Sequence, residues 1–199
     1  MQLLLATTNK GKIIEMTEAL HGLPLTIQTP IDLGITVSPH ETGDTFEANA
    51  IEKARFYFTQ SKMPTLADDS GIIVEALHNE LGVHTRRWGA GPTASDQEWI
   101  GFFLDRMRHE SNKKAEFVCV LVLIDADGKE HLFEGRCSGV ITDSLEAEYL
   151  PGLPISACFK PDGHSVVYSA MNLDQKNSTS HRGRALQKLR DHFALRVVV

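Results

Sequence analysis

The sequence predicts an α/β fold with a central mixed sheet flanked by helices. Strand-like and helix-like apolar segments alternate early in the chain, and a long β-hairpin pattern follows later. Size sets the scale. With 199 residues, 42% of them hydrophobic, the chain can bury the core of one domain, or of one domain with two lobes. No internal repeat, low-complexity tract or Pro/Ser-rich linker marks a boundary, so one continuous unit over residues 1–199 is expected.

Leu3 to Ala6 reads as a short buried strand, and the helix after it places Ile13, Met16 and Leu20 at near-helical spacing. Asp44 followed by Glu47 resembles a capping box, after which Phe46, Ala50, Ala54 and Tyr57 form the apolar stripe of a second helix that stops between Gln60 and Pro64. Thr65 to Ala67 then leads into Asp68, Asp69, Ser70 and Gly71, which read as an acidic turn before the apolar stretch Ile72 to Val74. Ser95 to Met107 reads as a helix. Phe117 to Ile124 and Glu130 to Cys137 flank the turn sequence Asp125, Ala126, Asp127, Gly128, the clearest hairpin in the chain. Val166 to Ser169 is a candidate strand. The last helix starts near Ser180, with Ala185, Leu186, Leu189 and Phe193 on its apolar face.

Composition excludes several classes. The formal net charge of −6 argues against broad nucleic-acid binding, since phosphate-backbone binders carry basic surfaces, so an anionic ligand needs a locally basic pocket. Cys119, Cys137 and Cys158 are odd in number and far apart, which suits reduced, buried thiols of a cytoplasmic protein. The opening residues reach polar Thr7, Thr8, Asn9 and Lys10 before an apolar run grows long enough for a signal peptide or a membrane span. No membrane association is expected.

Four clusters carry chemistry. Thr7, Thr8, Asn9, Lys10, Gly11 and Lys12 join the first strand to the first helix; helix-terminal N–H groups, the dipole and a mobile lysine would cradle phosphate, though an ordinary capped helix start has the same composition. Glu41 precedes the second helix within reach of a metal, whereas Asp44 and Glu47 serve as caps, and Lys53 is either a phosphate ligand or a solvated lysine. Asp68 and Asp69 repel one another unless a cation such as Mg²⁺ offsets the charge, which would leave one carboxylate free to orient or deprotonate water; solvated turn aspartates are the alternative. Lys176, His181 and Arg182 sit at the start of the last helix, where basic residues oppose the macrodipole, a hint of a ligand.

Taken in order, the four clusters resemble the inosine/xanthosine triphosphate pyrophosphatase family over nearly the whole chain. Thr7-Thr8-Asn9-Lys10-Gly11-Lys12 is similar to its S/T-x-N-x-x-K loop, and Glu41-Thr42-Gly43-Asp44-Thr45-Phe46 with Asn49-Ala50 and Lys53-Ala54 to its E-T-G-x-T-F-x-x-N-A-x-x-K-A segment. Ala67-Asp68-Asp69-Ser70-Gly71 matches A-D-D-S-G, and Lys176-Asn177 with Ser180-His181-Arg182 matches K-N-x-x-S-H-R. The resemblance implies an elongated fold with a nucleotide cleft between two lobes, a purine nucleoside triphosphate substrate, Mg²⁺ as cofactor and a homodimer. It implies that Thr7, Thr8, Asn9, Lys10, Lys12 and Lys53 hold the triphosphate, with Lys12 also aiding catalysis. Glu41, Asp68 and Asp69 would serve the metal, Asp69 would act as general base, and Ser70, Lys176, His181 and Arg182 would contact base, sugar or phosphate. The expected reaction is Mg²⁺-dependent hydrolysis of inosine, deoxyinosine or xanthosine triphosphate to monophosphate and pyrophosphate, a cleansing of the nucleotide pool.

One element departs from this pattern. Where the family carries G-x-G-[FY]-D-P-x-F, the chain reads Gly152-Leu153-Pro154-Ile155-Ser156-Ala157-Cys158-Phe159, so Ile155 replaces the stacking aromatic, Ser156 the aspartate and Ala157 the proline. Stacking on an aromatic is worth about 1–3 kcal/mol per base, so its loss leaves base preference open, with Tyr149 a candidate replacement ring. Gly82-Val83-His84-Thr85-Arg86-Arg87-Trp88 follows the family's P-G-x-x-S-A-R-[YF] run only loosely. Two alternatives therefore stand beside the main expectation: the same α–β phosphate cleavage on a different nucleotide, or a nucleotide-binding protein without turnover.

Overall fold

The structure, a computed structural model, describes residues 1–78, 80–91 and 93–196. Six strands form one sheet in the order β2-β1-β3-β4-β5-β6: β1 (Gln2–Leu5), β2 (Thr26–Gln28), β3 (Thr65–Val74), β4 (Lys114–Ile124), β5 (Glu130–Ile141) and β6 (Phe159–Pro161). The β1 pairs are parallel and the rest antiparallel, so the sheet is mixed, as the alternation followed by a hairpin predicts.

Leu3 and Leu5 face one side of the sheet and Leu4 and Ala6 the other, and all four are buried, because a strand inside a covered sheet buries both sets of alternating side chains. On the first side α1 (Lys10–Ala19) and α5 (His181–Arg196) cover Leu66, Cys119 and Leu121. On the second, Ala50, Ala54 and Tyr57 of α2 (Phe46–Ser61) cover Ala67, Val120 and Val122. A third core lies at the far ends of β3 and β4, where Trp99, Ile100, Phe103 and Met107 of α3 (Asp96–Arg108) pack against Ile72, Val74, Phe159 and Tyr168. The long strands β3 and β4 thus run through two regions with separate cores. All three cysteines are free and buried.

Several boundaries differ from expectation. The capping residue of α2 is Thr45, whose extended backbone lets its hydroxyl accept from Ala48 N at 3.1 Å, while Asp44 is exposed. Residues 68–71 are no turn: they continue β3 and pair with Val118 to Leu121 of β4, because antiparallel hydrogen bonding carries the chain through the acidic pair. Val166 to Ser169 makes no strand. A short 3-10 turn spans Tyr168–Ala170, and the edge strand is instead Phe159–Pro161, paired to β5. Lys176 belongs to its own helix α4 (Leu173–Thr179), opened by a reciprocal Asn172/Gln175 capping box and separated from α5 by the extended Ser180. The hairpin turn forms as expected, with Asp125 O accepting from Gly128 N and Asp125 Oδ1 from Asp127 N and Lys129 N.

Candidate active site

A cleft of about 530 Å³ opens where the two regions meet, a size that suits a small organic ligand. Its first wall is the loop between β1 and α1. Asn9 caps α1, its Oδ1 accepting from Lys12 N at 3.1 Å, while Thr7 Oγ1 accepts from Asn9 N. Thr7, Thr8, Asn9 and Lys12 line the cleft; Lys10, the first residue of α1, is exposed and stays outside it.

Strand alternation separates the two aspartates. Asp68 shares a face with Leu66, beneath α1 and α5; Asp69 shares one with Ala67, beneath α2. Asp68 is fully buried, and its carboxylate pairs with Lys12 at 2.8 Å, lies 3.6 Å from Arg182 and accepts from Ser70 Oγ at 3.2 Å. Burial alone would raise its pKa, but Lys12, Arg182 and Lys53 outweigh it and hold the group well below the ordinary carboxylate range. Asp68 is therefore a fixed counter-charge, and it does not line the cleft.

Asp69 does line it. Asn49 Nδ2 donates to its Oδ2 at 3.2 Å, and burial, reinforced by Glu41 and Asp68 against the opposing Lys53 and Lys12, pushes its pKa up to about 6. Glu41 faces the same space and pairs with Lys53 at 2.6 Å, while Lys53 Nζ also donates to Asp68 O at 2.8 Å. Burial would lower the Lys53 pKa, but Asp68, Glu41 and Asp69 together raise it, so the ammonium stays charged. It is no solvated surface lysine.

Across the cleft, Arg182 Nη2 donates to Ser70 Oγ at 2.9 Å, and both Arg182 and Lys176 pair with Glu15. Burial, with the neighbouring Arg182 and Lys12 charges, pushes the His181 pKa well below its usual value, so the ring is neutral; it stacks on Phe117 with centroids 4.5 Å apart. Among the described residues, buried Trp99 Nε1, His181 Nδ1 and Arg182 Nε have no hydrogen-bond partner, and these residues line the cleft. Trp99 Nε1 and Arg182 Nε are donors, and His181 Nδ1 donates or accepts according to the ring tautomer.

The structure thus brings together Thr7, Thr8, Asn9, Lys12, Glu41, Lys53, Asp69, Ser70, Lys176, His181 and Arg182, and leaves Lys10 and Asp68 outside the cleft wall. It also adds residues that the motifs miss. Glu15 lies one turn beyond Lys12 on α1, a spacing that puts both on one face. Arg86, which donates to Ala94 O, joins Asp96 and Trp99 in the opposite wall; the i, i+3 spacing of the last two was the available signal. Ile155 and Ser156 line the cleft, but the Ser156 hydroxyl is already engaged with Leu153 O at 2.5 Å and Ser169 Oγ at 2.7 Å. Tyr149 does not line the cleft and supplies no replacement ring.

The sequence signature of the Ham1 family matches residues 3–192. The chain belongs to the Ham1 family. A dITP/XTP pyrophosphatase from Leptospira interrogans is 37% identical over 188 residues, 94% of each chain, and one from Thermus thermophilus is 38% identical over 195 residues, 97% of this chain and 92% of that protein. Among solved structures, a HAM1 protein from Coxiella burnetii superposes with a TM-score of 0.82 at 31% identity, and the Staphylococcus aureus Ham1 protein with 0.81 at 28%, each covering 98% of both chains. The Ham1 fold thus accounts for the mixed sheet. Among the described residues, no helix is long and apolar enough to cross a membrane.

Proposed function

We propose that this Ham1 protein is a nucleoside-triphosphate pyrophosphatase acting on inosine, deoxyinosine and xanthosine triphosphate, with Mg²⁺, as a cytoplasmic homodimer. The observation that carries the reading is one cleft in which Lys12 and Lys53 meet Glu41 and Asp69. The likeness to proteins named dITP/XTP pyrophosphatase supports it.

The donor set suits magnesium, which takes one or two carboxylates and completes its shell with water and substrate phosphate oxygens. Glu41 and Asp69 face one space, and Glu41 is among the causes that raise the Asp69 pKa, so a cation between them would relieve their repulsion. Among the described residues no three His, Cys, Asp or Glu side chains form a metal cage, which leaves the remaining positions to the phosphates. When bound, the ion supplies charge neutralisation at the phosphoryl oxygens.

The residues then divide the chemistry. Asp69, which faces the cleft, accepts a proton from the water that attacks the α-phosphorus. The bond from that phosphorus to the bridging oxygen breaks, and pyrophosphate leaves. Lys12 and Lys53 face the negative charge that develops, and Asp68 and Glu41 already hold them in place, so little reorganisation is needed during reaction. At the base end, neutral His181 and the Arg182 guanidinium offer hydrogen bonds to a purine carbonyl, beside the aromatic surfaces of Trp99, Phe117 and Tyr168.

A second reading rests on the altered loop. With Ile155 in place of an aromatic and Ser156 bonded internally, base preference can differ from that of the relatives. The test is pyrophosphate release from inosine, xanthosine, guanosine, adenosine and pyrimidine triphosphates, with Mg²⁺ and with chelator. Preference for inosine or xanthosine triphosphate, abolished by chelator, is expected. Mg²⁺-dependent release from another nucleotide would establish the second reading, and no release from any would overturn both.

A further inference from the structure

The two walls of the cleft are joined through the backbone of one residue, Gly152. The Asp96 carboxylate, at the start of α3, accepts from Gly152 N at 2.6 Å, and the Gly152 carbonyl accepts from Asn9 Nδ2 at 3.1 Å. The other side-chain atom of Asn9, Oδ1, accepts from Lys12 N at 3.1 Å and caps α1. A chain of three hydrogen bonds therefore runs from α3, in the region built on Trp99 and Phe103, to the phosphate-facing loop in the other region.

Steric fit closes the same junction. Gly152 has φ +82°, which a side chain would strain, and a Cβ there would stand 2.5 Å from Asn9 Nδ2. Gly11 N donates to Pro151 O at 3.1 Å, and a Cβ on Gly11 would meet Leu153 and that carbonyl at 2.8 Å. Residues 151–153 are clamped between Asn9 and Gly11 on one side and Asp96 on the other. The segment continues directly into Ile155 and Ser156, which line the cleft. Asn9 uses its Oδ1 and one of its two Nδ2 N–H donors in this junction, so it shapes the phosphate loop and keeps one N–H for a ligand in the cleft.

We infer that Asp96 is a positioning residue for substrate binding: through the backbone N–H and carbonyl of Gly152 and through Asn9 it sets the separation of the phosphate-facing loop from the wall that faces the base. This inference rests on the proposed function for its substrate, while the hydrogen-bonded chain itself does not. A carboxylate bond to a backbone N–H that aligns both ends of one ligand acts on ground state and transition state alike, so its loss appears in KM before kcat.

Asp96→Ala removes the acceptor. Asp96→Asn loses the charge but keeps a carbonyl oxygen of the same reach, and so restores the bond. The expected result with inosine triphosphate and Mg²⁺ is a KM raised about tenfold or more in Asp96→Ala with kcat within about threefold, and both constants within about threefold of the parent in Asp96→Asn. Should the alanine variant not fold, Asp96→Ser, equally suited to a first helical turn but too short to reach Gly152 N, must give the same split. An asparagine variant as impaired as the alanine one would overturn the inference, because charge and not the bond would then matter; an unchanged KM in Asp96→Ala would overturn it too.

Binding gives a readout independent of turnover. The chain has two tryptophans, Trp88 and Trp99, in edge-on contact, and Trp99 lines the cleft one turn beyond Asp96 on α3. Quenching of their fluorescence by α,β-methylene inosine triphosphate must weaken about tenfold in Asp96→Ala and hold in Asp96→Asn. If the parent protein releases no pyrophosphate, the functional reading fails alone, and this titration still decides the positioning role. If the parent turns over and the variants do not separate, the positioning role fails alone.

Discussion

Replacing Asp69 with asparagine should stabilise the metal-free protein at neutral pH while removing its turnover. Burial raises the Asp69 pKa from 3.8 to about 6, and Asn49 offers the carboxylate only one hydrogen bond in compensation. The rise is about two pH units at about 1.4 kcal/mol each, so an ionised Asp69 costs the folded state about 3 kcal/mol. The sign follows from the direction of the rise. Below pH 3.8 both folded and unfolded forms hold the proton and there is no penalty; between 3.8 and about 6 only the unfolded chain gives it up, and above about 6 the penalty is complete. Asparagine carries no such charge. In chelator at pH 8, Asp69→Asn should therefore unfold at higher denaturant than the parent by about 1–3 kcal/mol, or about 2–4 °C per kcal/mol in a chain of this size. At pH 3.5 the difference should vanish, and Mg²⁺ should stabilise the parent more than the variant. Denaturant titrations at both pH values, with and without Mg²⁺, measure all of this. A variant equal to or weaker than the parent at pH 8, or one with the same advantage at both pH values, would refute the argument that burial makes this carboxylate costly; pyrophosphate release at the parent's rate would remove Asp69 as the base.

Two other substitutions probe the frame. Lys12→Ala deletes the 2.8 Å partner of fully buried Asp68, which should cost about 3 kcal/mol in denaturant titration because a buried charge is left poorly compensated, and should raise the KM for the triphosphate at least about tenfold. Retention of both parental stability and parental KM would contradict the placement of Lys12. Gly135→Ala places a Cβ 2.0 Å from the His181 carbonyl oxygen and 2.7 Å from Ala185 N, so β5 and α5 must separate; a loss of at least about 2 kcal/mol is expected in the same titration, and an unchanged midpoint would show that the helix shifts freely.

Local chemistry made much of this protein legible. The buried run Leu3 to Ala6, the stripe of α2 and the Asp125–Gly128 turn are written in periodicity and turn residues that act over a few positions, and the structure keeps all three. The four motifs likewise supplied most of the charged groups of the cleft wall. Short elements were harder: β2 and β6 have three residues each, too few for a period, and exist because a neighbouring strand offers hydrogen bonds. The Asp68–Asp69 pair shows what a local reading loses. As a turn, it placed two carboxylates on one ion; as part of β3, it turns one toward Lys12 and Arg182 and the other toward the cleft, and only pairing with β4 decides between these.

By itself, then, the sequence determined which residue types are available and which short segments they favour: a mixed α/β sheet, a capped helix after a polar loop, and acidic and basic groups in a recognisable order. Tertiary structure decided the partners. Glu15 meets Lys176 and Arg182 across more than 160 residues, and Asp96 reaches Gly152 and through it Asn9. Such contacts carry no spacing rule, because they depend on how α1, α3 and α5 pack on the sheet, and that packing is set by the whole buried core at once.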